Sequence, residues 1–136
     1  MTNREMKSRV MSLGNRLAAK GQDRSAAFVQ AWTIVKAGGL ELAVRGVSFG
    51  NRQEALRRLA AYDPAQVRAV LVPEPINPAD PAAVAVMVGV QNGKGLYRLG
   101  YVPRALTPIV AAMGGRLPVL RVLDGDIRGA RIALAV

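Results

Sequence analysis

The feature that most constrains this chain is a change of hydrophobic period at Gly38-Gly39. Before it, apolar residues recur every three or four positions; after it, they alternate. Arg4 to Lys20 sets Met6, Val10, Leu13 and Leu17 on one helical stripe, with Lys7, Arg9, Arg16 and Lys20 mostly off it. Gly21 supplies the stop, because glycine enters the left-handed C′ conformation without a Cβ penalty. A second helix is expected from Asp23 or Ser25, both good N-caps, with Phe28, Ala31, Trp32 and Val35 as its apolar face. Residues 1–38 are therefore predicted to form a helical hairpin, and residues 39–136 a separate β-rich domain.

In that second part, Leu40, Leu42 and Val44 alternate with Glu41, Ala43 and Arg45, the period of a half-buried strand. Asn51 to Tyr62 returns to helix, with Ala55, Leu56 and Leu59 on one side and Arg52, Arg57 and Arg58 on the other. Asn51 and Glu54 have the spacing of a capping box. Val67 to Pro73 reads as a strand. Glu74 to Pro81 holds Pro75, Pro78 and Pro81 and must be a rigid loop. Ala82 to Val90 and Leu96 to Val102 are strands joined at Asn92-Gly93, a hairpin turn signal. Pro103 suits the first turn of a helix running to Met113, stopped by Gly114-Gly115. Leu117 to Leu123 and Ile127 to Val136 close the chain as a hairpin around Asp124-Gly125. Short antiparallel strands with a helix between pairs predict an α+β fold with a small, partly open barrel.

Composition narrows the chemistry. The 136 residues contain no Cys and no His. Thiolate nucleophiles, zinc fingers and Ser-His triads are excluded within this chain. Nineteen Lys and Arg against nine Asp and Glu give a formal charge of +10, which favours a polyanionic partner. Glu74, Asp80, Asp124 and Asp126 are too scattered to read as a metal-dependent nuclease site. No cofactor, metal or catalytic residue is expected. Met1 to Lys20 mixes charges into its apolar residues, unlike a signal peptide, and no stretch reaches the length of a membrane span. A cytoplasmic protein is expected.

The hairpin carries seven Lys and Arg against two acidic residues. Two helices joined through a Gly-containing turn fit a helix-turn-helix, but that motif sits in a bundle and no third helix adjoins this one in sequence. The other readings are a hairpin that packs Phe28 and Trp32 on the following domain, or one that dimerises through that face.

Three blocks carry a family resemblance. One is Val44-Arg45-Gly46-Val47-Ser48-Phe49 with Asn51-Arg52-Gln53. The second runs from Leu71 through Glu74, Asn77, Pro78 and Asp80 to Val86. The third is Leu99-Gly100-Tyr101-Val102-Pro103-Arg104. Together they resemble the HIRAN family, in its free-standing bacterial or phage form, from about residue 40 to the end. The resemblance implies an OB-like or SH3-like six-stranded antiparallel β-barrel with two helices, here preceded by the hairpin. It also implies capture of the 3′-hydroxyl end of single-stranded DNA in repair, replication or processing. A helicase, nuclease or recombinase is the implied protein partner.

The candidate nucleic-acid-binding residues are Phe49, Arg52, Asn77, Asp80, Tyr101 and Arg104. A carboxylate at Asp80 accepts a hydrogen bond from a terminal hydroxyl and repels a continuing phosphate. The alternative is that Asp80 and Asn77 only tie the Pro-rich loop through Asx-type bonds. The family usually carries Tyr where this chain has Ala79, so Phe49 and Tyr101 are left to hold the base. Arg104 is matched to the family's basic residue at a helix start, where free N–H groups favour phosphate. Arg52, Arg57 and Arg58 extend that track or form a solvated face. The competing function is a module that recruits a DNA-processing protein through the hairpin.

Overall fold

The computed structural model describes residues 1–93, 95–114 and 118–135. Ten helices and strands are present among them, in the order expected: α1 (Asn3–Ala19), α2 (Arg24–Ala37), β1 (Gly39–Ala43), α3 (Arg52–Ala60), β2 (Val67–Pro73), β3 (Val84–Val90), β4 (Tyr97–Tyr101), α4 (Thr107–Met113), β5 (Val119–Val122) and β6 (Ala130–Ala135). The expectations at Gly115, Leu117 and Val136 fall outside the described residues. No described helix is long and apolar enough to cross a membrane.

The chain divides into two compact units that are discontinuous in sequence. One contains Met1–Leu40 with the α4 segment and the end of β6; the other contains Glu41–Thr107 with most of the β5–β6 hairpin. In the first unit, α1 is opened by a reciprocal cap: Glu5 N–H donates to Thr2 Oγ1 at 3.1 Å and Thr2 N–H to Glu5 Oε2 at 3.3 Å. It ends at Lys20, followed by Gly21 with φ 98°. Its buried residues are Val10, Leu13, Gly14 and Leu17. The face of α2 matches expectation at Phe28, Ala31 and Val35 and differs at Trp32. Ala27, Ala31, Ile34 and Val35 are buried, whereas Trp32 is 41% exposed. Small Ala27 and Ala31 let the helices approach closely, and a helix with apolar residues on more than one side leaves its inner face undetermined by period alone. Phe28 fills a notch at Gly14, where a Cβ would stand 2.7 Å from the ring. A third helix does join the hairpin: Arg16 Nη1 donates to the Ala112 carbonyl of α4 at 3.4 Å.

The six strands do not close into a barrel. They form two three-stranded antiparallel sheets, in the orders β1-β6-β5 and β2-β3-β4. One isolated bridge, Arg45 with Tyr101, joins the end of β1 to β4, with N–H···O distances of 2.8 and 2.9 Å. The ladder stops there because Gly46, at φ 81°, turns the chain away. A Cβ on Gly100 would collide with the Arg45 backbone, so this close approach requires glycine. On the other side β2 ends at Pro73, which has no N–H to offer a further strand.

β3 is buried on both faces and holds its sheet together, with Ala85 and Val86 fully covered and Val84 and Val88 nearly so. Its pairing with β4 contains a bulge. Met87 faces Arg98 and Val86 faces Gly100, leaving Leu99 as the extra residue. The expected cap on α3 is also absent. Asn51 has ψ 11° and its side chain makes no cap bond, while Glu54 pairs with Arg57 at 3.2 Å and Arg58 at 3.5 Å.

Candidate nucleic-acid interface

The loop between β2 and β3 is wired to itself. Its prolines lack N–H groups, and six of its backbone donors find partners within the turn. Glu74 N–H donates to Ala83 O at 2.9 Å, Asn77 N–H to Glu74 O at 3.0 Å and Ala83 N–H to Asp80 O at 3.1 Å. Asn77 Oδ1 accepts from the N–H of Ala79 at 2.9 Å and of Asp80 at 3.2 Å. Asp80 Oδ1 accepts from Ala82 N–H at 2.9 Å. Both side chains thus make the Asx-type ties expected of such a loop.

Asp80 has a second oxygen. Its Oδ2 lies 3.7 Å from Arg104 Nε, with the Asp80 side chain 20% exposed and that of Arg104 85% exposed. The carboxylate is therefore tied to the loop through one oxygen and paired through the other with a largely exposed guanidinium. Arg104 does not open an α-helix as expected. Pro103 precedes a 3-10 turn, Arg104–Leu106, closed by Thr107 Oγ1 donating to Arg104 O at 3.1 Å, and α4 begins only at Thr107. Arg104 is thus the first residue of a 3-10 turn that runs directly into α4.

Glu74 is the hub that sequence reasoning missed. Its Oε1 accepts from Asn77 Nδ2 at 3.0 Å and from the Tyr101 hydroxyl at 2.9 Å, and its Oε2 lies 2.6 Å from Arg98 Nη2. The Asn77 amide, with Tyr101 and Arg98, holds this carboxyl below the usual carboxylate range, against partial burial. Burial, with the hydrogen bond to Glu74, pushes the Tyr101 phenol up. Tyr101 is thus a fixed, half-buried wall. Three residues apart on a regular strand, Arg98 and Tyr101 would face opposite ways. The bulge at Leu99 turns both toward Glu74, and the only sequence signal for it is a glycine inside a strand pattern.

Phe49 stands on the loop that follows the bridge. The Gly46 carbonyl accepts from Phe49 N–H at 3.3 Å and from Arg52 Nη1 at 2.7 Å. Gln53 anchors the same loop, donating to Val47 O at 2.9 Å and Arg128 O at 2.8 Å and accepting from Arg128 N–H at 2.8 Å. Neither Gln53 nor Arg98 was foreseen. Phe49 is 68% exposed, so it is not a core residue. Arg52 spends part of its guanidinium on holding this loop.

The six expected residues thus fall into linked groups: Asn77 with Tyr101 through Glu74, Asp80 with Arg104, and Phe49 with Arg52 through Gly46. Their exposure differs: Phe49 and Arg104 are largely exposed, whereas the Asp80 side chain is 20% exposed and Tyr101 is half-buried. Among the described residues, no group of three His, Cys, Asp or Glu side chains is placed to hold a metal ion. Comparison with protein-family models, with curated proteins and with solved structures finds no match for this chain.

Proposed function

We propose that this chain is a non-catalytic, cytoplasmic DNA-binding module that takes single-stranded 3′-hydroxyl ends through Asp80, Arg104 and Phe49. The observation that carries the reading is the Asp80–Arg104 pair. One carboxylate oxygen is held by the loop, and the other lies 3.7 Å from a largely exposed guanidinium. A terminal hydroxyl donates to that oxygen while the preceding phosphate meets Arg104. A phosphate in the hydroxyl's place meets the carboxylate's charge. Phe49 offers the exposed face on which a terminal base stacks. The charge of +10 and the HIRAN resemblance support the same reading.

The test compares one short fluorescent oligonucleotide ending in a 3′-hydroxyl with the same strand ending in a 3′-phosphate. The hydroxyl form should bind roughly tenfold tighter, as a charge-assisted hydrogen bond allows. Equal affinities remove the end-recognition claim. Binding should weaken steeply with salt as counterions are released.

One observation favours a second reading, in which the hairpin recruits a helicase, nuclease or recombinase. Val29 and Trp32 are 68% and 41% exposed, one helical turn apart on α2. Capture of such a partner that depends on Trp32, by a chain with no measurable DNA affinity at moderate salt, would select it.

A further inference from the structure

A groove of about 790 Å³ runs between α3 and the β3–β4 hairpin, away from Asp80. Tyr62, at the end of α3, and Tyr97, on β4, line it and are 46% and 41% exposed. Tyr62 is held by its N–H to Leu59 O at 3.1 Å; Tyr97 is paired with Val88 in the sheet. Both rings therefore sit on fixed backbone. Gly89 lies in the same lining, and a Cβ there would stand 3.0 Å from Gly95 O and 3.1 Å from Leu96 Cδ2. A side chain at that position would push Leu96 aside and fill the groove.

The electrostatics favour an anionic occupant. Glu54 is an acidic member of the lining, but Arg57 and Arg58 both pair with it, at 3.2 and 3.5 Å. Arg58 lines the groove, and Arg57 pairs with the same Glu54 from outside the lining. The lining thus carries no net negative charge, and the cluster of Glu54, Arg57 and Arg58 at its edge carries one positive charge in excess, with the Arg58 side chain 77% exposed. Aromatic faces on fixed backbone beside an exposed cation are what unpaired bases on a phosphate backbone require. Asn51, at one end of the groove, is two residues past Phe49. From Asn51 to Tyr62 the helix and its extension span roughly 16 Å at the usual rise per residue.

We propose that this groove is a second DNA contact, in which bases upstream of the captured end stack on Tyr97 and Tyr62 while Arg58 meets the backbone. The inference rests on the DNA-binding reading above and extends it from an end site to a short track. Its signature is a gain of affinity with strand length that belongs to the groove alone.

The experiment measures binding of 3′-hydroxyl oligothymidylates, from trinucleotide to dodecanucleotide, to the unmodified chain and to Tyr97→Ala, Tyr62→Ala and Tyr97→Phe. The unmodified chain should bind the long strand more tightly. Each alanine variant should lose about fivefold or more of that gain, as expected for one lost stacking contact. The trinucleotide affinity and the preference for a 3′-hydroxyl over a 3′-phosphate should not change. Tyr97→Phe should restore the gain, which separates stacking from a fold defect. A length gain that survives both alanine variants, or no gain at all, overturns the groove assignment. A gain that depends on the tyrosines without any end preference keeps the groove and sinks end recognition. Failure of every strand to bind overturns both.

Discussion

The α1–α2 hairpin and the Glu74–Ala83 loop are held by opposite means. The hairpin is closed by apolar contact: Leu17, Ala27, Ala31 and Val35 are all but inaccessible, and Phe28 sits in the Gly14 notch under Arg24, 5.0 Å from its ring centre. The loop buries no large apolar side chain, and Ile76 at its tip is 94% exposed. Its shape comes from hydrogen bonds among Glu74, Asn77, Asp80 and their backbone neighbours. Apolar contact tolerates small shifts and resists change of volume. A polar network is sensitive to the loss of a single acceptor. The contrast places apolar stability in one region and, in the function proposed above, recognition in the other.

Removing volume from the hairpin should give the largest effect. Leu17→Ala should cost about 2–5 kcal/mol, read as a lowered midpoint in urea with little change in slope. A loss below about 1 kcal/mol would mean that the hairpin contributes little to the cooperative fold. Asn77→Ala comes next. It deletes one donor to Glu74 and one acceptor for two N–H groups, and should cost about 1 kcal/mol while weakening DNA binding. Unchanged DNA affinity would separate the loop's shape from recognition.

Acid should find the loop before it finds the hairpin. Glu74 titrates below its ordinary value of 4.5 in the folded chain. Its contribution to stability is therefore complete above 4.5 and is lost as pH falls through the lower, folded value. Glu41, held down first by the Arg131 hydrogen bond, adds to the same loss. The thermal midpoint should drop across that window, and Glu74→Gln should flatten part of the drop. A Glu74→Gln profile identical to that of the unmodified chain would contradict the network. The smallest structural effect belongs to Arg104→Gln. Its side chain is 85% exposed, so thermal stability should hold while DNA affinity falls and the salt slope shrinks by about one ion.

The same contrast explains what could be read before any coordinates. The period change at Gly38-Gly39 and the turn residues fixed the order of elements, because those signals are local. The inner face of α2 was read correctly at Phe28, Ala31 and Val35 but not at Trp32, which is exposed while Ile34 is buried; both are apolar, so composition does not separate them. The barrel was wrong because closure depends on long-range ladders. Gly46 and Pro73 interrupt them, and neither looks decisive in isolation. In the candidate site, Asp80 was found beside Arg104, but Glu74 and Arg98 were not recognised as its neighbours' anchors. A bulge at Leu99 brings them together, and a bulge changes facing without changing composition.

The most direct test of the central claim uses Asp80→Asn, which keeps an oxygen for the Ala82 N–H and removes the charge. The ratio of affinities for 3′-hydroxyl and 3′-phosphate strands is measured at one fixed salt concentration, for this variant and for the unmodified chain. The account predicts that the ratio falls close to one in the variant, chiefly through tighter binding of the phosphate-ended strand. A variant that still discriminates as the unmodified chain does would contradict it.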